Sequence, residues 1–264
     1  MPELPEAEAA RCLLEAQCVG RTITAAVAIE AGGAARSGKF DDIVFDDPGA
    51  TAASIKAELV GQRVVSIARR GKQLAIALGT KQQLTLLSHF GMTGSWVVFG
   101  VKAIQYKSTK VHDAEWPPRF CKLELELDKT TRLAFCDPRR LGRLRLRRGD
   151  YTAQKPWCCL APDPITDPIP LERALEACAQ KACPIKALLL DQNALVSGVG
   201  NWIADEVLYQ AKVHPESTCA SLSHAQVGAI YAALMKIVRF AVGRDHALLR
   251  ISASFTYDGG HFFA

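Results

Sequence analysis

No C-x-x-C pair occurs in this chain, although it holds nine cysteines, and without one the usual opening of a structural zinc site is missing. The N-terminus lacks the basic-then-apolar pattern of a secretion signal and is acidic and proline-bearing instead. The scattered thiols, Cys158 and Cys159 adjacent among them, are therefore expected to remain reduced rather than to form secretory disulfides. No apolar run approaches the roughly 20 residues that cross a bilayer, so no membrane role is expected. Internal repeats and low-complexity tracts are absent as well. Charge of one sign is in small excess, +5 with an isoelectric point near 8.7, which permits a polyanionic partner without demanding one.

What is present suffices for substantial cores. A chain of 264 residues with 49% hydrophobic content accommodates one large or two ordinary domains. The opening residues MPELPE carry the most chemistry. Removal of Met1 leaves Pro2 as a secondary amine whose pKa lies at about 7.7 to 8.0, partly neutral near pH 7 and able to attack a sugar or aldehyde carbon and form an iminium. Glu3 lies within reach of anything Pro2 attacks and suits a general acid or base. The alternative is a plain helix start, with Pro5 in the first turn and acids favoured by the helix dipole.

From Pro5 to Gln17 the composition favours a helix that Gly20 ends. Alternation follows, with Ile23, Ala25, Val27 and Ile29 expected on one face, then Val65 and Ile67, then Leu74, Ile76 and Leu78. Bends at Arg70-Gly71 and at Lys129 to Thr131 predict hairpins, hence an antiparallel sandwich or barrel. Five prolines between Lys155 and Pro170 predict a linker, so the domains expected are 1–154, a linker at 155–170, a helical domain at 171–243 and a tail at 244–264. In the helical domain Val227, Ile230, Tyr231, Leu234, Ile237, Val238 and Ala241 keep helical spacing behind a Ser223/Gln226 capping box.

Three further motifs admit two readings each. Gly198 and Gly200 precede Asn201, which opens a predicted helix to about Ala211; its free N–H groups form an anion site suited to a DNA phosphate, or the glycines serve packing. RRLGRLRLRR at 139–148 alternates arginine with leucine, a solvated strand face or, as its density favours, a phosphate-binding one. Met92 lies between Gly91 and Gly94 and either packs in a core or projects from a loop to enter a base stack. His89 reads as a hydrogen-bonded structural residue.

MPELPE, RRGK at 69–72, HFGMTG at 89–94, DPRRLG at 137–142 and the stretch from IKALLLDQ through GVGNWIADEVLYQAKVHP at 185–215 together resemble the formamidopyrimidine-DNA glycosylase family in order and spacing. The resemblance runs over residues 1 to 242. WIADEVLYQAKVHP and the VKAIQYK insertion at 101–107 look most like its plant branch. It implies an α+β fold: an N-terminal antiparallel β-sandwich with flanking helices, a helix-two-turn-helix domain, and DNA between them. By matching positions, Pro2 is the implied nucleophile, Glu3 the acid that protonates the sugar and Glu6 its support. Lys72 and Asn201 match phosphate-gripping residues, while Met92, Arg139 and Leu141 match the set that fills the gap left by an everted nucleotide. Leu141 stands where the family usually has phenylalanine.

The implied activity is removal of oxidised purines from damaged double-stranded DNA, followed by β,δ-elimination at the abasic site, with no cofactor, no zinc and no membrane. The plant likeness implies a nuclear location, and the family likeness a monomer. After Val242 the sequence matches neither the four-cysteine finger nor the zincless finger of the family, so weakened binding and excision with residual lyase activity are expected. The alternative is a non-catalytic protein that binds lesion or abasic DNA through Asn201, Lys72 and the arginine strand; a bare interaction domain leaves Pro2 and Glu3 unexplained.

Overall fold

The computed structural model describes residues 2–32, 36–79, 83–101 and 115–248, with side chains as far as Gly243. Residues 102–107 of the insertion and 249–264 of the tail lie outside the described residues. The chain forms two compact units.

Unit 1 comprises residues 9–69 and 73–154 together with the first two residues. Its strands are β1 (Ile23–Val27), β2 (Val64–Arg70), β3 (Gln73–Leu78), β4 (Leu84–His89), β5 (Ser95–Val98), β6 (Cys121–Leu127), β7 (Thr131–Cys136) and β8 (Arg143–Arg148). They make two four-stranded antiparallel sheets, ordered β1-β6-β7-β5 and β2-β3-β4-β8. The predicted hairpins are both present, β2 to β3 around Gly71 and β6 to β7 around Lys129. The sheets face each other, since Trp96 Nε1 on β5 donates to Ser88 Oγ on β4 at 3.0 Å; within its own sheet Trp96 packs edge-on against its cross-strand neighbour Phe135, ring centres 5.3 Å apart. Leu14 and Cys18 of helix α1 (Leu4–Cys18) join Ile23, Ile67, Leu86, Leu125 and Leu133 around one apolar interior.

In β1 the expected alternation fails. Ile23 is buried, but so are Ala26 and Ala28, while Val27 is 40% and Ile29 36% exposed. The cause is a register break: Ile23 pairs with Leu127 and Ala25 with the next residue, Glu126, so the intervening Thr24 is an extra residue that reverses the faces beyond it.

Unit 2 holds residues 3–8, 70–72 and the chain from Lys155 onward. Its helices are α3 (Leu171–Ala179), α4 (Ile185–Leu190), α5 (Asn201–Ala211) and α6 (His224–Leu248), α2 (Ala52–Leu59) belonging to unit 1. Leu4 joins Cys178, Leu188, Ile203, Val207, Leu234 and Val238 in one core. The capping box forms as read, Ser223 N–H donating to Gln226 Oε1 at 2.9 Å and Gln226 N–H to Ser223 Oγ at 3.3 Å.

Three expectations need correction. Residues 155–170 are not a bare linker, because Trp157, Ala161, Asp163 and Ile169 are buried in unit 2; prolines bar a ladder but leave carbonyls free to accept, and Pro162 O takes Ser197 N–H at 2.9 Å. Helix α6 continues past residue 243 as far as Leu248, the last described residue, since one glycine costs a helix only about 1 kcal/mol. That helix is also long and apolar enough to cross a membrane by length and composition, over His224–Gly243. Its Val227, Ile230, Leu234, Ile237 and Val238 instead pack in the core of unit 2.

Candidate active site

The first residues of the chain fold into unit 2 because Leu4 is wholly buried there, a gain of about 2 kcal/mol, and its N–H donates to Gly198 O at 3.0 Å. This seats Glu3 on the N-terminus of α5. Its Oε2 accepts the N–H groups of Gly200 at 2.8 Å and Ile203 at 3.2 Å, and Oε1 accepts that of Trp202 at 3.0 Å. These N–H groups have no partner within a helix, and the dipole at that end favours a carboxylate. The expected phosphate site on these N–H groups is therefore occupied by Glu3. Separated by about two hundred positions in sequence, the two meet only in the fold. Asn201 itself is exposed at the first position of α5.

The glycines follow from this contact. A Cβ on Gly200 would stand 2.2 Å from Glu3 Cδ, and one on Gly198, whose φ is +96°, would stand 2.6 Å from Leu4 Cδ1. Of the two readings of the GVGN motif, close approach to Glu3 and Leu4 is the one the contacts support.

Lys72 enters the same unit on the Arg70–Lys72 turn, which is fastened at several points. Gly71 N–H donates to Asp163 Oδ2 at 2.8 Å and Arg70 Nε to Ala161 O at 3.2 Å. Gly71, at φ +56°, lies so close to the loop between α4 and α5 that a Cβ would meet Ser197 Cβ at 2.7 Å. Glu6 Oε2 accepts Glu3 N–H at 2.9 Å.

Two carboxyl groups and one ammonium thus share a dry site. Burial raises Glu3 to about 7; Lys72 and the N–H groups of Trp202 and Ile203 pull it down, while Glu6 pushes it further up. Burial raises Glu6 and lowers Lys72, the latter against the opposing pull of both glutamates. A carboxyl half-protonated at neutral pH can give or take a proton there. Pro2, buried, is bonded directly to Glu3. Glu3, Glu6, Lys72 and Asn201 are all carried by unit 2. Among the described residues no group of three or more His, Cys, Asp or Glu side chains is arranged to hold a metal ion.

Met92, Arg139 and Leu141 are brought together separately, on two touching loops of unit 1. Gly91, at φ +59°, packs so tightly on the other loop that a Cβ would meet the Leu141 carbonyl carbon at 2.3 Å. Buried Asp137 joins the loops, accepting from Thr93 Oγ1 at 2.8 Å, Arg139 N–H at 3.2 Å and Gly142 N–H at 2.6 Å. Met92 and Leu141 remain 38% and 41% exposed, and Arg139 is exposed. Met92 is thus a projecting residue. His89 Nδ1 accepts Gly91 N–H at 3.1 Å, a structural role.

The arginine strand departs from the phosphate-binding reading. Arg143 and Arg145 pair with Asp46 at 3.2 and 2.6 Å, Arg147 with Asp47 at 2.7 Å, and Arg148 with Glu58. The charge run is balanced by an acidic segment about a hundred residues away in sequence. Sequence reading also missed Asp137, Asp163 and Gln192, whose Nε2 donates to Val199 O at 2.8 Å and whose Oε1 accepts Gly198 N–H at 2.8 Å. The Asp-Pro pairs at 137 and 163 were a usable turn signal.

Comparison with known proteins covers both units. Residues 1–144 match the formamidopyrimidine-DNA glycosylase N-terminal domain and residues 160–253 the formamidopyrimidine-DNA glycosylase H2TH domain. A formamidopyrimidine-DNA glycosylase of Arabidopsis thaliana is 36% identical over 246 residues, 93% of this chain and 59% of the relative, so this chain spans about three-fifths of that protein. The Thermus thermophilus enzyme of the same name is 32% identical over 92% of this chain and 76% of its own length. The crystal structure of the MutM (Fpg) protein from Thermus thermophilus superposes with a TM-score of 0.70 at 31% identity, covering 92% of this chain and 77% of that one. Lactococcus lactis Fpg in complex with DNA containing an abasic site gives 0.73 at 26%, covering 91% and 79%. The chain belongs to the formamidopyrimidine-DNA glycosylase family.

Proposed function

We propose that this protein is a base-excision DNA glycosylase and abasic-site lyase acting on oxidised purines such as 8-oxoguanine and formamidopyrimidines in double-stranded DNA. The observation that carries it is the neutral-range carboxyl of Glu3, held beside Lys72 and Glu6 and bonded to Pro2.

With Met1 removed, the Pro2 amine attacks the sugar C1′, a nitrogen–carbon bond forms, and the bond to the base breaks with its electron pair leaving on the base. Glu3 protonates the ring oxygen, the attacking nitrogen loses its proton, and the opened sugar becomes an iminium. Loss of a C2′ proton then expels the 3′ phosphate, a further elimination expels the 5′ phosphate, and water releases Pro2. Lys72 and Asn201 are assigned to the phosphates beside the lesion. Met92 and Leu141 are assigned to the emptied stack and Arg139 to the orphaned base, since a damaged base costs only a few kcal/mol to evert.

The non-catalytic alternative, binding through Asn201, Lys72 and the arginine strand, leaves Pro2 and Glu3 unexplained, and the pairs of Arg145, Arg147 and Arg148 with Asp46, Asp47 and Glu58 weigh against its third element. Borohydride trapping on duplexes carrying one 8-oxoguanine or one abasic site, with Pro2→Gly alongside, tests the proposal. A Pro2-dependent crosslink on both duplexes is expected; binding without any crosslink would refute it.

A further inference from the structure

Next to the loop that carries Arg139 and Leu141, unit 1 holds a chain of charges, three buried and the last, Arg140, 26% exposed, that takes no part in the chemistry above. Lys122, 2% exposed, sits between Glu30, with which it pairs closely, and Asp41, 3.1 Å away. Asp41, 1% exposed, is in turn held by a two-pronged contact from Arg140, Nε to Oδ2 at 2.8 Å and Nη2 to Oδ1 at 3.0 Å. At its exposed end Arg140 also lies 3.7 Å from Asp42 at the surface. Removing so many charges from water is costly, and apolar side chains of the same volume usually serve stability as well, so stability alone does not account for the cluster.

The end of the chain of charges shows what it does. Arg140 has φ +57°, a left-handed conformation that a residue with a Cβ avoids. It lies between the two exposed residues assigned to the partner base and the stack. Asp137 ties down the ends of this turn through the N–H groups of residues 139 and 142 and Arg143 Nη1 donates to Arg140 O at 3.3 Å, while the Arg140 side chain is held from elsewhere. Asp41 is rigid enough to hold it, because its Oδ1 also accepts the N–H groups of Ile43 and Val44 at 3.2 and 3.3 Å and Val44 O accepts Leu144 N–H on β8 at 2.8 Å.

We infer that Asp41, backed by Lys122 and Glu30, is a positioning residue that locks Arg140 in the left-handed turn and so sets how Arg139 and Leu141 enter damaged DNA. This rests on the glycosylase reading. Arg140→Ala and Arg140→Gly both delete the guanidinium and differ in tolerance of positive φ, which glycine adopts without strain. Excision of 8-oxoguanine opposite cytosine is expected to fall about tenfold in Arg140→Ala and in Asp41→Asn, through misplaced contacts. It should return to within about threefold of wild type in Arg140→Gly and in Asp41→Asn/Arg140→Gly. Discrimination between cytosine and adenine opposite the lesion should shrink and recover in parallel, which a purely structural role would not produce. Borohydride trapping on an abasic single strand, with no partner base and no stack, should be unchanged in all variants. Equal activity of Arg140→Ala and Arg140→Gly, or an Asp41→Asn protein with wild-type excision and discrimination, overturns the inference. Should Asp41→Asn not fold, the alanine and glycine pair still decides. Failure of the wild type to trap at all refutes the glycosylase reading instead.

Discussion

Replacing Gly200 by alanine tests how the N-terminal segment is joined to α5. The added Cβ would lie 2.2 Å from Glu3 Cδ and 2.3 Å from Oε1, so the carboxyl must retreat by about 1 Å to reach ordinary contact. A retreat of that size breaks the bonds to Gly200, Trp202 and Ile203, now 2.8, 3.0 and 3.2 Å. Bonds to a charged acceptor contribute about 1.5 to 3 kcal/mol each, but Glu3 can escape part of the loss by taking a proton, which brings the net cost to about 2 to 4 kcal/mol. For a chain of this size that lowers the melting temperature by about 10 °C. Displacement of the acid by the same distance should slow single-turnover excision up to about a hundredfold. Melting by circular dichroism and single-turnover cleavage of an 8-oxoguanine duplex measure both. A Gly200→Ala protein that melts and turns over like the wild type would show that Glu3 does not depend on α5.

The pH dependence of stability carries a signature of the same carboxyl. Glu3 is raised from 4.5 to about 7 in the fold, so its contribution is complete below 4.5 and is lost as pH rises through 7, about 3 kcal/mol in all; urea titrations from pH 4.5 to 7.5 should show this fall, and Glu3→Gln should abolish most of it. Asp41 has the opposite sign. Burial raises it but Arg140 and Lys122 outweigh that and bring it to about 2, so its contribution holds above 3.8 and is lost as pH falls through 2, an acid limb that Asp41→Asn should remove from a melting profile. Gly71→Ala sets a Cβ 2.7 Å from Ser197 Cβ at a φ of +56° and should destabilise by about 2 kcal/mol in chemical denaturation; an unchanged midpoint would contradict the close packing of that turn. Arg145→Ala removes a cation paired with Asp46, so the slope of log affinity against log salt should be unchanged. A slope reduced by about one would mean that this arginine contacts phosphate after all.

Much of the fold was legible because it rests on local rules. Helical spacing placed α6, the Ser223/Gln226 pair its start, and Asn201 and Ala211 the limits of α5. Alternation with turn residues announced the hairpins, and five motifs in fixed order announced the family. The bulge in β1 was hidden because one extra residue reverses the faces without altering composition. The balance of charge on β8 was hidden because Asp46 and Asp47 are far away in sequence and a run of arginines looks the same whether paired or free.

By itself the sequence determined which segments become helix or strand, since residue type and short-range spacing decide that, and it marked Pro2, Glu3 and Lys72 as candidates. Only the tertiary structure decided what those residues are worth. Glu3 is delivered to α5 by the burial of Leu4, and its pKa is set by burial against the pull of Lys72 and two backbone N–H groups. The turn at Arg140 is held by an aspartate about a hundred residues earlier. Burial, close approach and charge pairing depend on distances through space, and these arise only once distant parts of the chain have met.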